Sequence, residues 1–196
     1  GPLIRTALLA IGCTIASSAV VQVRLPACPP GRLPVPAECG TVRVFENRQT
    51  KQGRMIDIAF ARLRADRSSS AGAVFLLNGG PGGEGMDMVA AAQSWARPVR
   101  TTMDIVLVDQ RGTGGSNSLE CSRDIEARPA LSFGHVFPES WVRQCRASLE
   151  TKADLRHYTT DDAVDDLDEI RAALGYQRIS LYGGSYGTRA ALVYLR

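Results

Sequence analysis

Apolar residues follow two patterns along this chain. In Thr41–Phe45 (TVRVF) and Met55–Leu63 (MIDIAFARL) they alternate with other residues, and the polar, Gly-containing NRQTKQGR lies between the two stretches. A period of two sends one face of a strand to a core and the other to water, so the pair predicts an antiparallel hairpin. Ala73–Leu77 (AVFLL) and Ile105–Val108 (IVLV) are instead apolar at every position, and each leads at once into a Gly-rich loop. Strands buried on both faces of a parallel sheet have this signature. Met86–Trp95 between them has helical composition and ends before Arg97-Pro98, since proline disfavours helical backbone in the residue before it. Together these segments predict a β-α-β unit.

Residues 119–155 read as an insertion bracketed by Cys121 and Cys145, with a helix over Pro138–Leu149. Thr160 is then expected to cap a helix over Asp161–Leu174, whose apolar stripe includes Val164, Leu167, Ile170 and Leu174 and whose stop is Gly175. A short strand, Ile179–Tyr182, leads through Gly183-Gly184-Ser185-Tyr186-Gly187 into an apolar helix over Tyr186–Leu195. No internal repeat interrupts the order. Upstream, CPPGRLPVPAECG from Cys28 to Gly40 is too rich in proline for helix or central strand and predicts an extended lead-in.

With 196 residues, 44% hydrophobic and 22% charged, the chain has the composition of one globular domain. The net charge of +3 comes from scattered arginines without basic runs, which argues against a nucleic-acid partner. At the N-terminus, Arg5 precedes an apolar stretch, Thr6–Val21, that ends in small residues. This predicts a signal peptide over 1–19, with a mature start near Val20, and hence a secreted or periplasmic protein. The stretch is shorter than the roughly 20 residues a bilayer span needs, so no stable membrane span is expected. A lipoprotein-type cut before Cys13 is the alternative. Gly1 in place of an initiator Met points to a chain that begins inside a longer reading frame.

Four of the five cysteines lie beyond that segment. An even number in an exported chain favours disulfides. Loop length alone selects the local pairs Cys28–Cys39, tying the lead-in over 20–40, and Cys121–Cys145, closing the insertion. Metal binding is the competing reading, but no C-x-x-C spacing occurs and neither His135 nor His157 completes a zinc pattern, so no metal is assigned.

The most specific chemical signal is G-x-S-x-G placed directly between a strand and a helix. Such a turn is too tight for side chains at its glycine positions, and it holds a serine hydroxyl out at the top of a sheet beside a helix N-terminus. Ser185 is therefore the expected nucleophile, with Gly183 and Gly187 as the elbow glycines. Asn78-Gly79-Gly80-Pro81-Gly82-Gly83 ends an earlier strand, where an oxyanion hole needs a backbone donor. Gly80 is the expected first donor, and the N–H of Tyr186 the second. Gly80–Gly85 also matches G-x-G-x-x-G after a strand, but Pro81 within it, the preceding hairpin and the downstream elbow count against a dinucleotide site. No cofactor is expected.

NGGPGG (78–83), VDQRGTGGSN (108–117), YTTDDAVDDLDEIRAALG (158–175) and GGSYG (183–187), in that order and spacing, resemble the proline iminopeptidase and secreted tripeptidyl aminopeptidase branch of the α/β-hydrolases, peptidase family S33. The resemblance implies that residues 41–196 are the N-terminal half of an α/β-hydrolase fold, an antiparallel hairpin leading into a mostly parallel sheet flanked by helices, with the C-terminal strands and lid absent. It implies an exported aminopeptidase that cleaves peptides from the N-terminus through an acyl-enzyme on Ser185. Asp109, Arg111 and Gly112 would form a structural turn near the site. An esterase acting on small esters, or a catalytically incomplete fragment or binding module, are the alternatives, because triad acid and base are expected after Ser185. Asn78 departs from the His common in the iminopeptidases. The acids of Asp161–Glu169 read as solvated residues favoured by a helix N-terminus, and Glu84 as a solvated loop carboxylate.

Overall fold

The computed structural model describes residues 25–67, 71–121 and 138–196. The expected signal peptide, Cys13, His135 and residues 122–137 of the insertion lie outside the described residues. Five strands form one mixed sheet in the order β1-β2-β4-β3-β5: β1 (Glu38–Phe45), β2 (Met55–Leu63), β3 (Ala73–Leu77), β4 (Asp104–Val108) and β5 (Ile179–Gly183). The expected hairpin is present, with β1 antiparallel to β2 in the register Val44↔Ile56 and Val42↔Ile58. It joins the sheet through antiparallel pairing of β2 with β4, while β3 lies parallel to both β4 and β5.

The two fully apolar runs are the fully buried strands β3 and β4. Both of their faces are covered. On one side, Phe75, Leu77, Val106 and Val108 pack with Ile58 and Phe60 against α3 (Thr160–Ala173) and α4 (Tyr186–Tyr194), through Val164, Leu167, Ile170 and Ala190. On the other, Val74, Leu76, Ile105 and Leu107 pack against Met86 and Ala92, the latter in α1 (Val89–Gln93), with Cys28, Leu33 and Cys39 of the lead-in alongside. The proline-rich lead-in thus closes one layer of the core. Cys28 pairs with Cys39 across a Cα separation of 4.7 Å, and Cys121 with Cys145 of α2 (Glu139–Glu150) across 5.7 Å.

Three of the boundaries that differ from expectation do so in distinct local settings. β1 begins at Glu38, since residues 38–40 continue the ladder opposite Phe60–Arg62, and the Glu38 carboxylate bridges Arg62 and Arg64 on and beyond the neighbouring strand. The segment after β3 is a 3₁₀ turn, Gly85–Met88, followed by the short α1 rather than one helix over Met86–Trp95. There the Met86 N–H donates to Asp109 Oδ1 at 3.0 Å, which ties the segment down at its start. The cap of α3 is Thr159, not Thr160: Thr159 is extended and its hydroxyl accepts the Asp162 N–H at 3.2 Å, three residues on.

Candidate active site

β3 is followed in the chain by β4 on one side of it and is paired with β5 on the other, with α1 and α4 on opposite faces. The carboxyl ends of β3 and β5 therefore flank a topological switch point, where loops diverge and leave a crevice. The Gly-rich loop 78–83 leaves one of these ends and Ser185 the other.

Ser185 has φ 51° and ψ −121°, one of three positive-φ residues other than glycine among those described. Such backbone costs about 1–3 kcal/mol and persists only where the surroundings impose it. Here they do. The Gly184 N–H donates to the Leu77 carbonyl at 3.2 Å, and the Gly187 N–H donates back to Gly184 O at 2.8 Å. A Cβ on Gly183 would run into the Gly187 backbone, and one on Gly187 into the Leu77 carbonyl. Gly184, by contrast, has open space around it. Ser185 is exposed at the top of the turn, and Tyr186 opens α4, so its N–H belongs to a first turn without intrahelical partners.

Asn78 closes the facing loop at both ends. Its Oδ1 accepts the Gly79 N–H at 2.8 Å and its Nδ2 donates to Glu84 O at 2.7 Å, while Gly83 N–H donates to Gly79 O at 3.1 Å. The Gly80 amide takes part in none of these bonds. Gly80 has φ 116° and precedes a cis peptide to Pro81, and a Cβ on it would stand 2.8 Å from Gly82 N. Gly79 lies directly against the elbow, since a Cβ there would stand 2.9 Å from Ser185 Cβ. Sequence reasoning marks Asn78 only as a departure from a family pattern and gives Gly79 no role. An Asn opening a glycine loop, able to bond its own backbone, was the available signal.

Asp109, Arg111 and Gly112 form the turn after β4. Buried Asp109 accepts Met86 N–H through one oxygen and Gly115 N–H, at 2.9 Å, through the other, while Arg32 of the lead-in approaches at 3.4 Å. Gly114 must be small, because a Cβ there would collide with the Asp109 carboxylate and crowd that of Glu84. Loss of water and the neighbouring Asp109 charge push the Glu84 carboxyl above its ordinary value.

Arg111 is buried and fully engaged. Its Nε and Nη2 grip Asp166 at 2.7 Å each, and Nη1 donates to Glu46 O at 2.8 Å and His157 O at 2.6 Å. Asp166 also receives Arg48 at 3.1 Å. One member of the acidic run departs from the solvated reading: Asp166 is 1% exposed, because it falls on the inward stripe of α3 between Ala163 and Ile170, whereas Asp161, Asp165, Asp168 and Glu169 are exposed as expected. Buried Glu46, also missed, accepts the Asp154 N–H at 3.1 Å and the Tyr158 hydroxyl at 2.9 Å. Tyr158 in turn accepts a bond from Asn117, and burial pushes its phenol up to about 12. His157 lies 3.7 Å from Asp154.

Between the Gly79 loop, the Arg111 turn, Tyr158 and Tyr186 lies a cleft of about 230 Å³. A larger cleft, about 580 Å³, is lined by Arg54, Arg146, Glu150, Asp154 and Arg156 and includes no elbow or glycine-loop residue. No group of three or more His, Cys, Asp or Glu side chains among the described residues is arranged to hold a metal ion. No helix among the described residues is long and apolar enough to cross a membrane.

The chain is 33% identical over 178 residues to a tripeptidyl aminopeptidase of Streptomyces coelicolor, covering 83% of this chain and 33% of that protein. It is 29% identical over 180 residues to the serine protease Hip1 of Mycobacterium bovis, covering 85% and 34%. It thus spans about a third of the length of these curated relatives. A solved proline iminopeptidase-related protein from Thermus thermophilus superposes with a TM-score of 0.48 at 24% identity, covering 82% of this chain and 40% of that one. A family model described as alpha/beta hydrolase fold matches residues 72–196, from the strand before the glycine loop through the elbow, and the chain belongs to that family.

Proposed function

We propose that the protein carrying this chain is an exported serine aminopeptidase, with Ser185 as nucleophile and the amides of Gly80 and Tyr186 as oxyanion donors. The observation that carries the reading is the backbone of Ser185, held at φ 51° between a strand and a helix by glycines that tolerate no side chain. Ser185 Oγ attacks the scissile carbonyl carbon and gives its proton to a base. Negative charge develops on the carbonyl oxygen beside the first turn of α4, whose dipole favours it. The intermediate collapses to an ester on Ser185 as the amine leaves protonated, and water then releases the acid. In this fold acid and base follow the nucleophile in the chain. We assign them to the two-thirds of the relatives' length that this chain does not span, and by themselves residues 1–196 are inactive in this reading.

The tripeptidyl aminopeptidase and serine protease relatives support a peptide substrate, and the two cysteine pairs support export and disulfide formation. The test is a panel of amino-terminal peptide amides and matched esters offered to the full-length protein and to Ser185→Ala. Amide hydrolysis releasing N-terminal fragments, lost in the variant, is expected. Turnover of esters alone would replace the peptidase reading by the esterase one.

A further inference from the structure

We infer that Arg32, carried by the disulfide-tied lead-in, is a positioning residue for the glycine loop: its guanidinium lies on Asp109 and lets that carboxylate and Glu84 stay ionised side by side at the loop's exit. The inference rests on the reading of Ser185 as nucleophile and Gly80 as oxyanion donor, and Arg32 acts on them through Asp109.

Asp109 is fully buried where three segments cross. Its Oδ1 accepts the Met86 N–H, which fixes the chain just after the glycine loop, and its Oδ2 accepts the Gly115 N–H and faces Arg32 Nη2 at 3.4 Å. Among the described residues Arg32 is the one cation within ion-pair distance of this carboxylate. Glu84 reaches the same place from the loop itself. A Cβ on Gly114 would collide with Asp109 Oδ2 and stand 3.1 Å from Glu84 Oε2, so the two carboxylates converge above Gly114. Like charges so placed oppose ionisation of both, and an adjacent cation offsets this. Glu84 feels each effect: besides loss of water, Asp109, Asp87 and Glu120 push its carboxyl up, and Arg32 pulls it down.

The lead-in holds the cation in place. Cys28–Cys39 closes the loop that carries Arg32, the Arg32 N–H donates to Pro29 O at 3.1 Å, and Leu33 packs on the sheet. Arg32 Nη2 also lies against Gly115, where a Cβ would stand 3.3 Å from it. Ordering a side chain that is 42% exposed removes much of the entropy cost that makes surface pairs weak. Without the cation, two ionised carboxylates repel and one must move. A shift of Glu84 passes through its carbonyl to Asn78 Nδ2 and on to the Gly79 N–H, next to Gly80, and a shift of Asp109 passes to Met86. A proton on Glu84 relieves the repulsion, so the defect belongs to higher pH.

The test compares Arg32→Gln with the unaltered full-length protein on one peptide amide, with kcat taken per site titrated by fluorophosphonate on Ser185. The ratio of variant to unaltered kcat is expected near one at about pH 4.5 and about tenfold lower by about pH 8, with KM little changed. Glu84→Gln added to Arg32→Gln removes one of the like charges and should return kcat at about pH 8 to within about threefold of the unaltered protein. A deficit equal at every pH, no deficit at any pH, or one that Glu84→Gln leaves in place would reduce Arg32 to packing of the lead-in and overturn the inference. A change confined to KM would overturn it by putting Arg32 against substrate. Each of these leaves a labelled Ser185 standing, whereas an unlabelled Ser185 in the unaltered protein overturns both readings.

Discussion

Ser185 occupies backbone that a serine does not choose, and the cost is met by fit rather than by side-chain bonds. That fit can be tested at single residues. Gly187→Ala places a methyl group into the Leu77 carbonyl and is expected to prevent stable folding or lower stability by several kcal/mol in chemical denaturation. Gly80→Ala keeps the elbow but strains a φ of 116° and crowds Gly82 N, so the full-length enzyme should retain its fold and lose about 10²–10³ in kcat. Glu84 offers a pH test. A carboxyl raised in the folded state binds its proton more tightly there than in the unfolded chain, so stability falls as pH rises from its ordinary value near 4.5 through the raised one. Glu84→Gln should flatten that fall, read from melting temperatures between about pH 4 and 7; an unchanged slope would assign it to other groups. The glycines and Ser185 were legible because a motif names them. Glu46 was not, since nothing local marks a carboxylate at a strand end as the partner of a tyrosine 112 residues away.

At the scale of elements, period located four of the strands, because β3 and β4 are buried on both faces and β1 and the first half of β2 alternate, while Phe60–Leu63 of β2, paired with β4, is buried throughout. The period of α3 carries a further signal. Asp166 stands within its buried stripe, and a charge in such a place signals a buried partner, here Arg111 from the turn after β4. The pair joins α3 to that turn, and through Glu46 O and His157 O to the end of β1 and the approach to α3. Asp166→Ala leaves Arg111 buried and unpaired and should cost about 3–5 kcal/mol in urea unfolding. A loss below about 1 kcal/mol would mean that the pair is as weakly coupled as a surface bridge.

For the whole molecule, the order of blocks was readable and the closure of the core was not. The lead-in looked like an extended tether, yet Leu33, Cys28 and Cys39 pack on the sheet and Arg32 reaches Asp109 beside the glycine loop. Composition gives no hint of which layer a proline-rich segment will cover. Closing an 11-residue separation between Cys28 and Cys39 should stabilise the fold by about 2–3 kcal/mol through the unfolded chain, so Cys28→Ser with Cys39→Ser should lower the unfolding midpoint accordingly. The proposed activity depends on the carboxyl ends of β3 and β5 meeting around one reactive hydroxyl. Fluorophosphonate treatment of the full-length protein, followed by peptide mapping, tests this most directly. The adduct is predicted on the peptide containing Ser185 and absent from Ser185→Ala; an adduct on any other serine, or full hydrolytic activity in Ser185→Ala, would contradict it.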